Sequence, residues 1–184
     1  MLVLISGVSG AGKTTLIRQV LKKHKDYAYL PSYTTRKKRA GEVDGNPYYF
    51  VSEEEFQKEQ QKGMFLEWCE VHKGIFYGTH KKVYETYAQR YPVLITDIDV
   101  VGMQALKGQK ELDCVTVFIT VENEQQLRER LIKRGEKQIE QRLARASFEI
   151  EHMHLYDYVI VNTKIDVAGK ELEEIIKKEL QRRK

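Results

Sequence analysis

A glycine-rich segment near the start of the chain reads Gly7-Val8-Ser9-Gly10-Ala11-Gly12-Lys13-Thr14. It lies between an apolar run at residues 2–5 and a stretch whose apolar residues recur at helical spacing. The segment fits G-x-x-x-x-G-K-[ST] at every fixed position, in the strand–turn–helix context that gives this pattern its meaning. Glycines let the backbone curl so that N–H groups point at phosphate oxygens, and the following helix adds the positive end of its dipole. The segment therefore predicts a nucleoside triphosphate site.

The same motif predicts which residues bind the triphosphate. Lys13 reaches the β and γ phosphates, and the Thr14 hydroxyl is a ligand of Mg²⁺. The alternative is a strand-to-helix turn without a ligand. Motors, switches, ATPases and kinases share this motif, so the use of the γ-phosphate has to be inferred elsewhere. The predicted triphosphate-binding residues are, in the segment and directly after it, Gly7, Ser9, Gly10, Ala11, Gly12, Lys13, Thr14 and Thr15.

Composition and apolar patterning predict one α/β domain. The chain has 184 residues, of which 41% are hydrophobic and 32% charged, which suits a single folded unit. Apolar β-branched runs alternate with helical patterns, as in a parallel sheet flanked by helices. The four runs that predict buried strands are residues 2–5, 93–96, 115–120 and 158–161.

Two segments interrupt this alternation. The first is a small mixed α+β insert, with a capping box at Ser52 and Glu55 and a turn predicted at Lys73-Gly74. The second is rich in arginine. We expect a single domain with a core of residues 1–31, 92–126 and 147–184, an insert at about 32–91, and a short helical lid at about 127–146.

Charge and cysteine content narrow the class of protein. The net charge is only +4, which suits a small anionic substrate at least as well as nucleic acid. Cys69 and Cys114 are the two cysteines, far apart and in no CxxC pair, so a disulfide framework and a structural zinc site are excluded. The apolar run at residues 2–5 is far short of a membrane span, which takes about 18 residues. We expect a cytoplasmic protein.

Five further stretches resemble the signature of guanylate kinases, in the order in which that family has them. The longest runs from Ser32 to Gly45, and the likeness extends from Leu2 to the last helix. The stretches are SYTTRKKRAGEVDG (32–45), YYFVS (48–52), FLEW (65–68), YGT (77–79) and DIDVVG (97–102).

The resemblance implies transfer of the γ-phosphate of ATP to GMP, and also to dGMP, with Mg²⁺. Arg36 and Arg39 are three residues apart, so one turn aims both guanidiniums at a single anion, and the planar fork of arginine matches phosphate geometry. The resemblance implies that Arg36, Arg39, Tyr48 and Tyr77 hold the monophosphate of GMP. Taken alone, the basic run also fits a solvated face or a nucleic-acid patch.

Glu67 is a charged residue inside an otherwise apolar strand, where charges are seldom placed unless they are paired. Guanine offers N1–H and N2–H₂ as neighbouring donors that one carboxylate accepts, and adenine has no such pair. Glu67 therefore predicts selection of GMP over AMP. By resemblance, Ser32 and Thr79 complete the guanine contacts. The alternative is that Glu67 points to solvent from an edge strand.

Asp97 and Asp99 follow the second apolar run and are two residues apart. In a strand, this spacing places both carboxylates on one face, at the edge where α/β sheets bind ligands. By resemblance, Asp97 holds Mg²⁺ through water and Asp99 lies near GMP. Alternatively, both cap the following helix.

Arginines crowd the predicted lid. The resemblance implies that Arg134 and Arg142 act in catalysis, together with Lys13 and Arg36, and that Asn162 lies beside the adenine of ATP. The loop at 136–138 is about three residues shorter than the family pattern. Arg128 and Arg145 are expected at the surface or in salt bridges. The acceptor is already an anionic phosphate oxygen, so no general base is needed.

Three other functions stay open at this stage. The chain could phosphorylate another phosphorylated acceptor, although Glu67 and Thr79 argue against a sugar phosphate. It could be a guanylate-kinase-like binding module with weak or no activity, although Lys13 and Thr14 are intact. Nucleic-acid binding has only the basic run in its favour. The expected partners are ATP and GMP, without nucleic acid or membrane, and the expected state is a monomer or a homodimer.

Overall fold

The computed structural model describes residues 1–72 and 74–183, which form two five-stranded sheets and the helices packed on them. In this part of the chain the strands are β1 (Leu2–Gly7), β2 (Tyr27–Tyr29), β3 (Ser32–Thr34), β4 (Val43–Asp44), β5 (Pro47–Phe50), β6 (Phe65–His72), β7 (Ile75–His80), β8 (Val93–Asp97), β9 (Cys114–Thr120) and β10 (Tyr158–Val161). The α-helices are α1 (Lys13–Lys23), α2 (Glu53–Gln61), α3 (Lys81–Ala88), α4 (Val100–Lys107), α5 (Glu124–Lys133), α6 (Ile139–Glu151) and α7 (Ile165–Arg182).

The core is a five-stranded parallel sheet in the order β10-β9-β1-β8-β2. Its central strands are buried on both faces, as their unbroken apolar runs predict. All four predicted strands are present, but β10 lies at the edge of the sheet with Val159 and Val161 exposed, so its predicted burial is wrong. The fifth strand, β2, was not predicted, because its three residues are only half-buried and form no apolar run. The prediction of an α/β parallel sheet flanked by helices is therefore confirmed.

Helices cover this sheet through apolar stripes. In α1, Leu16, Ile17 and Val20 are buried, and α1 packs against the C-terminal helix α7. In α7, Leu172 and Ile176 have no exposed surface. These contacts fix the start of α1, and with it the glycine-rich turn, at the carboxyl end of β1. No helix in residues 1–72 and 74–183 is both long and apolar enough to cross a membrane.

The insert forms a second, mixed sheet in the order β4-β5-β3-β7-β6, in which β3 is parallel to β5 and antiparallel to β7. Helix α2 begins after Ser52, whose hydroxyl accepts a hydrogen bond from the Glu55 N–H at 3.1 Å, so the capping box is confirmed. Gly74 has a φ of 76°, as a turn requires, whereas Lys73, the other residue of the predicted turn, lies outside the described residues.

The arginine-rich segment consists of α5, a five-residue connection and α6. Leu127 and Leu131 of α5 and Leu143 and Ala146 of α6 are buried in the main core. Both helices are therefore anchored to the sheet, and α6 continues to Glu151, past the predicted end of the lid. The division of the chain into core, insert and lid stays a prediction.

Candidate active site

A cavity of about 340 Å³ opens between the carboxyl end of the core sheet, the second sheet and α6. Side chains from all three parts reach it, which brings together residues far apart in the sequence. Those from the core include Lys13, Asp97 and Asp99; those from the second sheet include Ser32, Tyr48, Glu67 and Tyr77; and those from α6 are Arg142, Arg145 and Glu149.

The glycine-rich turn packs closely against the core. Gly7 has a φ of 139°, and a Cβ there would lie 1.9 Å from the carbonyl oxygen of Ile119. A Cβ at Gly12, whose φ is 93°, would lie 2.7 Å from the Asn162 side-chain nitrogen. Any side chain at either position would collide with its neighbours, so the turn requires glycine there.

The Lys13 ammonium lies inside this turn. Its Nζ donates hydrogen bonds to the carbonyl oxygens of Gly7 and, at 3.2 Å, Val8. Burial lowers the pKa of Lys13, while Glu149 and Asp97 act in the opposite direction. Thr14 and Thr15, in the first turn of α1, are exposed. The loop therefore presents a cation and a helix N-terminus to the cavity, as a phosphate site needs.

Asp97 lies at the end of β8 and accepts a hydrogen bond from the Tyr29 hydroxyl. Burial raises the pKa of Tyr29, and the neighbouring Asp97 carboxylate adds to the rise. Tyr29 had no predicted role, because nothing in the sequence indicated that β2 pairs beside β8. Its hydroxyl fixes one oxygen of Asp97.

The residues present suit a magnesium ion held mainly by nucleotide phosphates. The described residues contain no cluster of three or more His, Cys, Asp or Glu that could hold a metal alone. Mg²⁺ in kinases is bound by one or two protein oxygens together with substrate phosphates. Asp97 and Thr14 supply that kind of donor set.

Asp99 does not continue β8, so the prediction that it shares a strand face with Asp97 is wrong. It is the N-cap of α4, and its Oδ1 accepts a hydrogen bond from the Gly102 N–H at 2.8 Å. This is the capping role that the sequence left open. Asp99 nevertheless lines the cavity, and its Oδ2 lies 3.9 Å from the sulfur of Cys69, which had no predicted role there.

Glu67 is buried, with 8% of its surface exposed, so the alternative that it points to solvent is wrong. Its cross-strand partner is Thr79, whose N–H and hydroxyl donate to Glu67 Oε1 at 3.0 and 2.7 Å. Burial raises the pKa of Glu67, and the two bonds from Thr79 oppose that rise. The other oxygen, Oε2, lies beside Gly102, where a Cβ would come within 3.0 Å of it.

Arg36 is already paired in this structure. Its guanidinium donates to both oxygens of Glu42, at 2.7 and 3.0 Å, and lies 5.5 Å from the ring centre of Tyr48. The hydrogen bond from Arg36 lowers the pKa of Glu42 to about 2. The backbone N–H of Arg39 also donates to Glu42, at 2.7 Å, while Arg39 itself is exposed. The sequence analysis missed Glu42. Its position, an acidic residue close in sequence to two predicted phosphate-binding arginines, could have indicated the pairing.

Tyr48 and Tyr77 form one wall of the cavity. Their rings meet edge to face, with centres 5.6 Å apart. Tyr48 lies opposite Ser32 in the sheet, and Tyr77 lies opposite Thr34. The second sheet thus brings the predicted acceptor residues Ser32, Tyr48, Glu67 and Tyr77 to one cavity.

The arginines of α5 and α6 separate into two groups. Arg142 and Arg145 line the cavity. Arg134 is exposed at the end of α5 and is not among the lining residues. Arg128 forms surface ion pairs with Glu140, at 2.5 Å, and with Glu124, as expected. Arg145 forms an expected salt bridge, with Glu149, but it does so at the cavity.

Asn162 supports the glycine-rich turn. It is 2% exposed, and its Nδ2 donates to the Ala11 carbonyl oxygen at 2.6 Å. Arg130 donates to the backbone oxygen of Asn162, also at 2.6 Å. The predicted contact with adenine stays a prediction, whereas the contact seen here is with the backbone of the glycine-rich turn and the start of α1, residues 7–15 (the P-loop).

Comparison with known proteins identifies the family. The guanylate kinase family model matches residues 1–179. A guanylate kinase from Campylobacter jejuni (strain RM1221) is 41% identical over 177 residues, which cover 94% of this chain and 86% of that relative. One from Thermotoga maritima is 38% identical over 181 residues, covering 97% and 86%. The crystal structure of guanylate kinase from Anaplasma phagocytophilum is 30% identical, with a TM-score of 0.77 over 98% of this chain and 86% of that one. The chain therefore belongs to the guanylate kinase family.

Proposed function

We propose that the chain transfers the γ-phosphate of ATP to GMP, or to dGMP, and releases ADP with GDP or dGDP. The observation that carries this proposal is the position of Glu67. It is a buried carboxylate, held by Thr79, in the same cavity as the P-loop lysine Lys13. One cavity thus combines a cation for the donor phosphates with a group suited to the acceptor base.

Glu67 selects guanine through its acceptor oxygens. The Thr79 bonds keep Oε1 in place, so the carboxylate keeps one orientation. Guanine presents N1–H and N2–H₂ to it, whereas adenine presents an acceptor nitrogen where guanine has N1–H. A site built to accept from a donor pair rejects a base that lacks it, because its buried polar atoms are then unpaired. Ser32 and Asp99 complete the acceptor site around the nucleoside.

The monophosphate of GMP is held by Arg36, Arg39, Tyr48 and Tyr77. Arg36 donates two parallel N–H bonds to the carboxylate of Glu42. A phosphate can accept the same pair of bonds. The tyrosine hydroxyls add neutral donors. Arg39 reaches this phosphate by a turn of its exposed side chain.

The transfer depends on alignment and charge neutralisation. The attacking atom is an anionic phosphate oxygen, so no side chain has to remove a proton. Residues 7–15 of the P-loop hold the triphosphate. Asn162 holds the turn in place through its hydrogen bond to the Ala11 carbonyl oxygen. Lys13, Arg134 and Arg142 offset the charge that spreads over the moving phosphoryl group.

Magnesium is the expected metal ion, held by Thr14 directly and by Asp97 through water. Bound there, it would neutralise part of the charge of the triphosphate. The Tyr29 hydroxyl donates to Oδ1 of Asp97 and so fixes that oxygen. The two reduced cysteines, Cys69 and Cys114, suit the cytoplasm as the place of action.

The test is a coupled ADP-release assay with ATP and Mg²⁺ against GMP, dGMP, AMP, CMP, UMP and ribose phosphates. We expect turnover with GMP and dGMP alone, and none of it when EDTA removes Mg²⁺. Turnover with a ribose phosphate would instead favour another kinase of this fold. No turnover with any acceptor, with GMP still binding, would favour a binding module.

A further inference from the structure

Two arginines line the cavity, Arg142 and Arg145, and Arg145 has no role in the proposed reaction. Arg142, Arg145 and Glu149 are spaced three and four residues apart on α6, so they share one helix face. All three line the cavity that also holds Lys13. Leu143 and Ala146, on the neighbouring face, are buried in the core. The core therefore fixes where α6 presents Arg145.

Glu149 currently occupies the Arg145 guanidinium. Its Oε1 accepts from Arg145 Nε at 3.2 Å, and the Glu149 side chain is 13% exposed. Its other oxygen, Oε2, is buried without a hydrogen-bond partner in the described part of the chain. Burial raises the pKa of Glu149, and the charges of Lys13 and Arg145 oppose that rise. The Glu149 carboxylate thus lies beside two cations, Lys13 and Arg145. A triphosphate, which carries more negative charge, suits these cations better than one carboxylate does.

The position of Arg145 matters because the connection between α5 and α6 is short. Arg134, at the end of α5, is exposed and does not line the cavity, whereas Arg145 does. Acidic side chains also face the cavity, namely Glu67, Asp97, Asp99 and Glu149. These carboxylates repel an incoming triphosphate, so each cation that lines the cavity is needed to offset the repulsion.

We propose that Arg145 is a further catalytic residue, which leaves Glu149 and binds the phosphoryl group as it passes from ATP to GMP. Glu149 is a positioning residue that keeps Arg145 turned to the cavity until the triphosphate enters. In the step itself, a GMP phosphate oxygen forms a bond to the γ-phosphorus. The bond from that phosphorus to the β–γ bridging oxygen breaks, its electron pair stays on ADP, and no proton moves. This inference rests on the proposed function.

The alternative is that Arg145 and Glu149 form an ordinary helix ion pair, spaced i and i+4, which affects only helix stability. Arg128 offers a matched control. Its side chain is 40% exposed, as is that of Arg145, and it forms an ion pair between α5 and α6 outside the cavity. Arg128→Ala therefore removes an equally exposed, ion-paired arginine from the same helical pair.

The experiment compares Arg145→Ala, Arg145→Lys and Arg128→Ala in steady-state turnover of ATP and GMP with Mg²⁺, alongside GMP and ADP binding and Tm. We expect Arg145→Ala to lower kcat by about 100-fold, the lower end of what loss of one donor to transition-state charge costs. GMP and ADP binding and Tm should stay within twofold and about 2 °C of the wild type. Arg145→Lys should recover part of kcat, and Arg128→Ala should keep the kcat of the wild type. In the double variant Arg145→Ala/Glu149→Gln, kcat should match that of Arg145→Ala alone, because Glu149 acts through Arg145.

Two results would overturn the inference. One is a kcat for Arg145→Ala within twofold of the wild type. The other is a loss of kcat that follows a loss of Tm and is equally large in Arg128→Ala, which would make the pair structural. Wild-type turnover of GMP is measured first. If it is absent, the proposed function fails and the inference with it, whereas turnover that Arg145→Ala leaves unchanged removes the inference alone.

Discussion

The core end of the cavity is held by main chain packed on main chain, whereas the acceptor end is held by pairs of side chains. At the core end, the Gly7 backbone lies so close to the Ile119 carbonyl that no side chain fits between them. At the acceptor end, the Glu67 carboxylate is held by the hydroxyl and the backbone N–H of Thr79. Substitutions at the core end should therefore change rate or folding, and those at the acceptor end should change substrate choice.

The burial of the two sheets follows the same division. The central core strands are buried almost throughout, and their shape is set by apolar packing. In the second sheet, β5 is half-buried along its whole length, and aromatic rings such as Tyr48 and Tyr77 meet over it. A rigid donor site next to a sheet held by polar and aromatic contacts suits an enzyme whose acceptor pocket carries the specificity.

The largest effect should follow loss of the P-loop cation. Lys13→Ala should lower kcat by about 100- to 1,000-fold, because one preorganised charge at the moving phosphoryl group is lost. GMP binding, which depends on the other end of the cavity, should change little. Steady-state kinetics and a GMP titration measure the two effects, with Lys22→Ala, at an exposed position of α1, as control. Equal losses in kcat and GMP binding would contradict the division between the two ends.

Gly7→Ala should destabilise the fold by about 2–4 kcal/mol, the range of a forced backbone clash in a buried segment. The added Cβ would lie 1.9 Å from the Ile119 carbonyl oxygen, so strand β1 or β9 has to shift. Gly63→Ala is the control, since Gly63 also has a positive φ, 65°, but no atom of the described residues lies within 4 Å of its Cβ position. Urea denaturation of both variants isolates the clash. Similar free energies of unfolding would show that the turn is not held by main-chain contact.

Glu67→Gln should lower the preference for GMP over AMP by about 10- to 100-fold, as loss of one paired polar contact does. Glutamine keeps an oxygen for the Thr79 bonds but places an NH₂ donor where guanine also has donors. The ratio of kcat/KM for GMP to that for AMP measures the change, and Glu70→Gln, a neighbour on β6, is the control. An unchanged ratio would refute the role of Glu67 in base selection.

The smallest effect should be on stability and its pH dependence. Because the folded-state pKa of Glu67 is raised, the folded chain binds more protons there than the unfolded chain. The wild type therefore loses stability as pH rises from about 4.5 through that raised pKa. Glu67→Gln should be slightly more stable than the wild type at pH 7, with the difference closing as pH falls to about 4. Urea denaturation at pH 4, 5.5 and 7 checks this, and a difference that grows toward low pH would contradict it.

Local patterns predicted the features that depend on few neighbours. The strand of residues 2–5 is apolar on both faces, and the P-loop glycines follow it at fixed spacing, so both could be predicted from the sequence. The capping box at Ser52 is equally local. β2 could not be predicted, because its three residues become a strand only through pairing with β8.

The details of the site depend on tertiary packing. Asp99 caps α4 because β8 ends at Asp97, and strand ends are not marked by apolar periodicity. Arg145 faces the cavity because the burial of Leu143 and Ala146 sets the rotation of α6 against the core. The arginine pattern of the sequence alone could not show that Arg145, and not Arg134, lines the cavity. The pairing of Arg36 with Glu42 depends on the path of the turn between them, which glycine and charge patterns leave undetermined.

That pairing has a consequence for which anions can enter. The fork of Arg36 is already filled by the Glu42 carboxylate, so an arriving anion has to exchange for it. A singly charged metabolite offers Arg36 no more charge than Glu42 does, so the exchange brings little gain. A phosphate monoester brings a charge of about −1.5 to −2 and three acceptor oxygens, so it gains from the exchange. With Arg36 in its proposed role, Glu42 would therefore favour phosphate monoesters over singly charged anions.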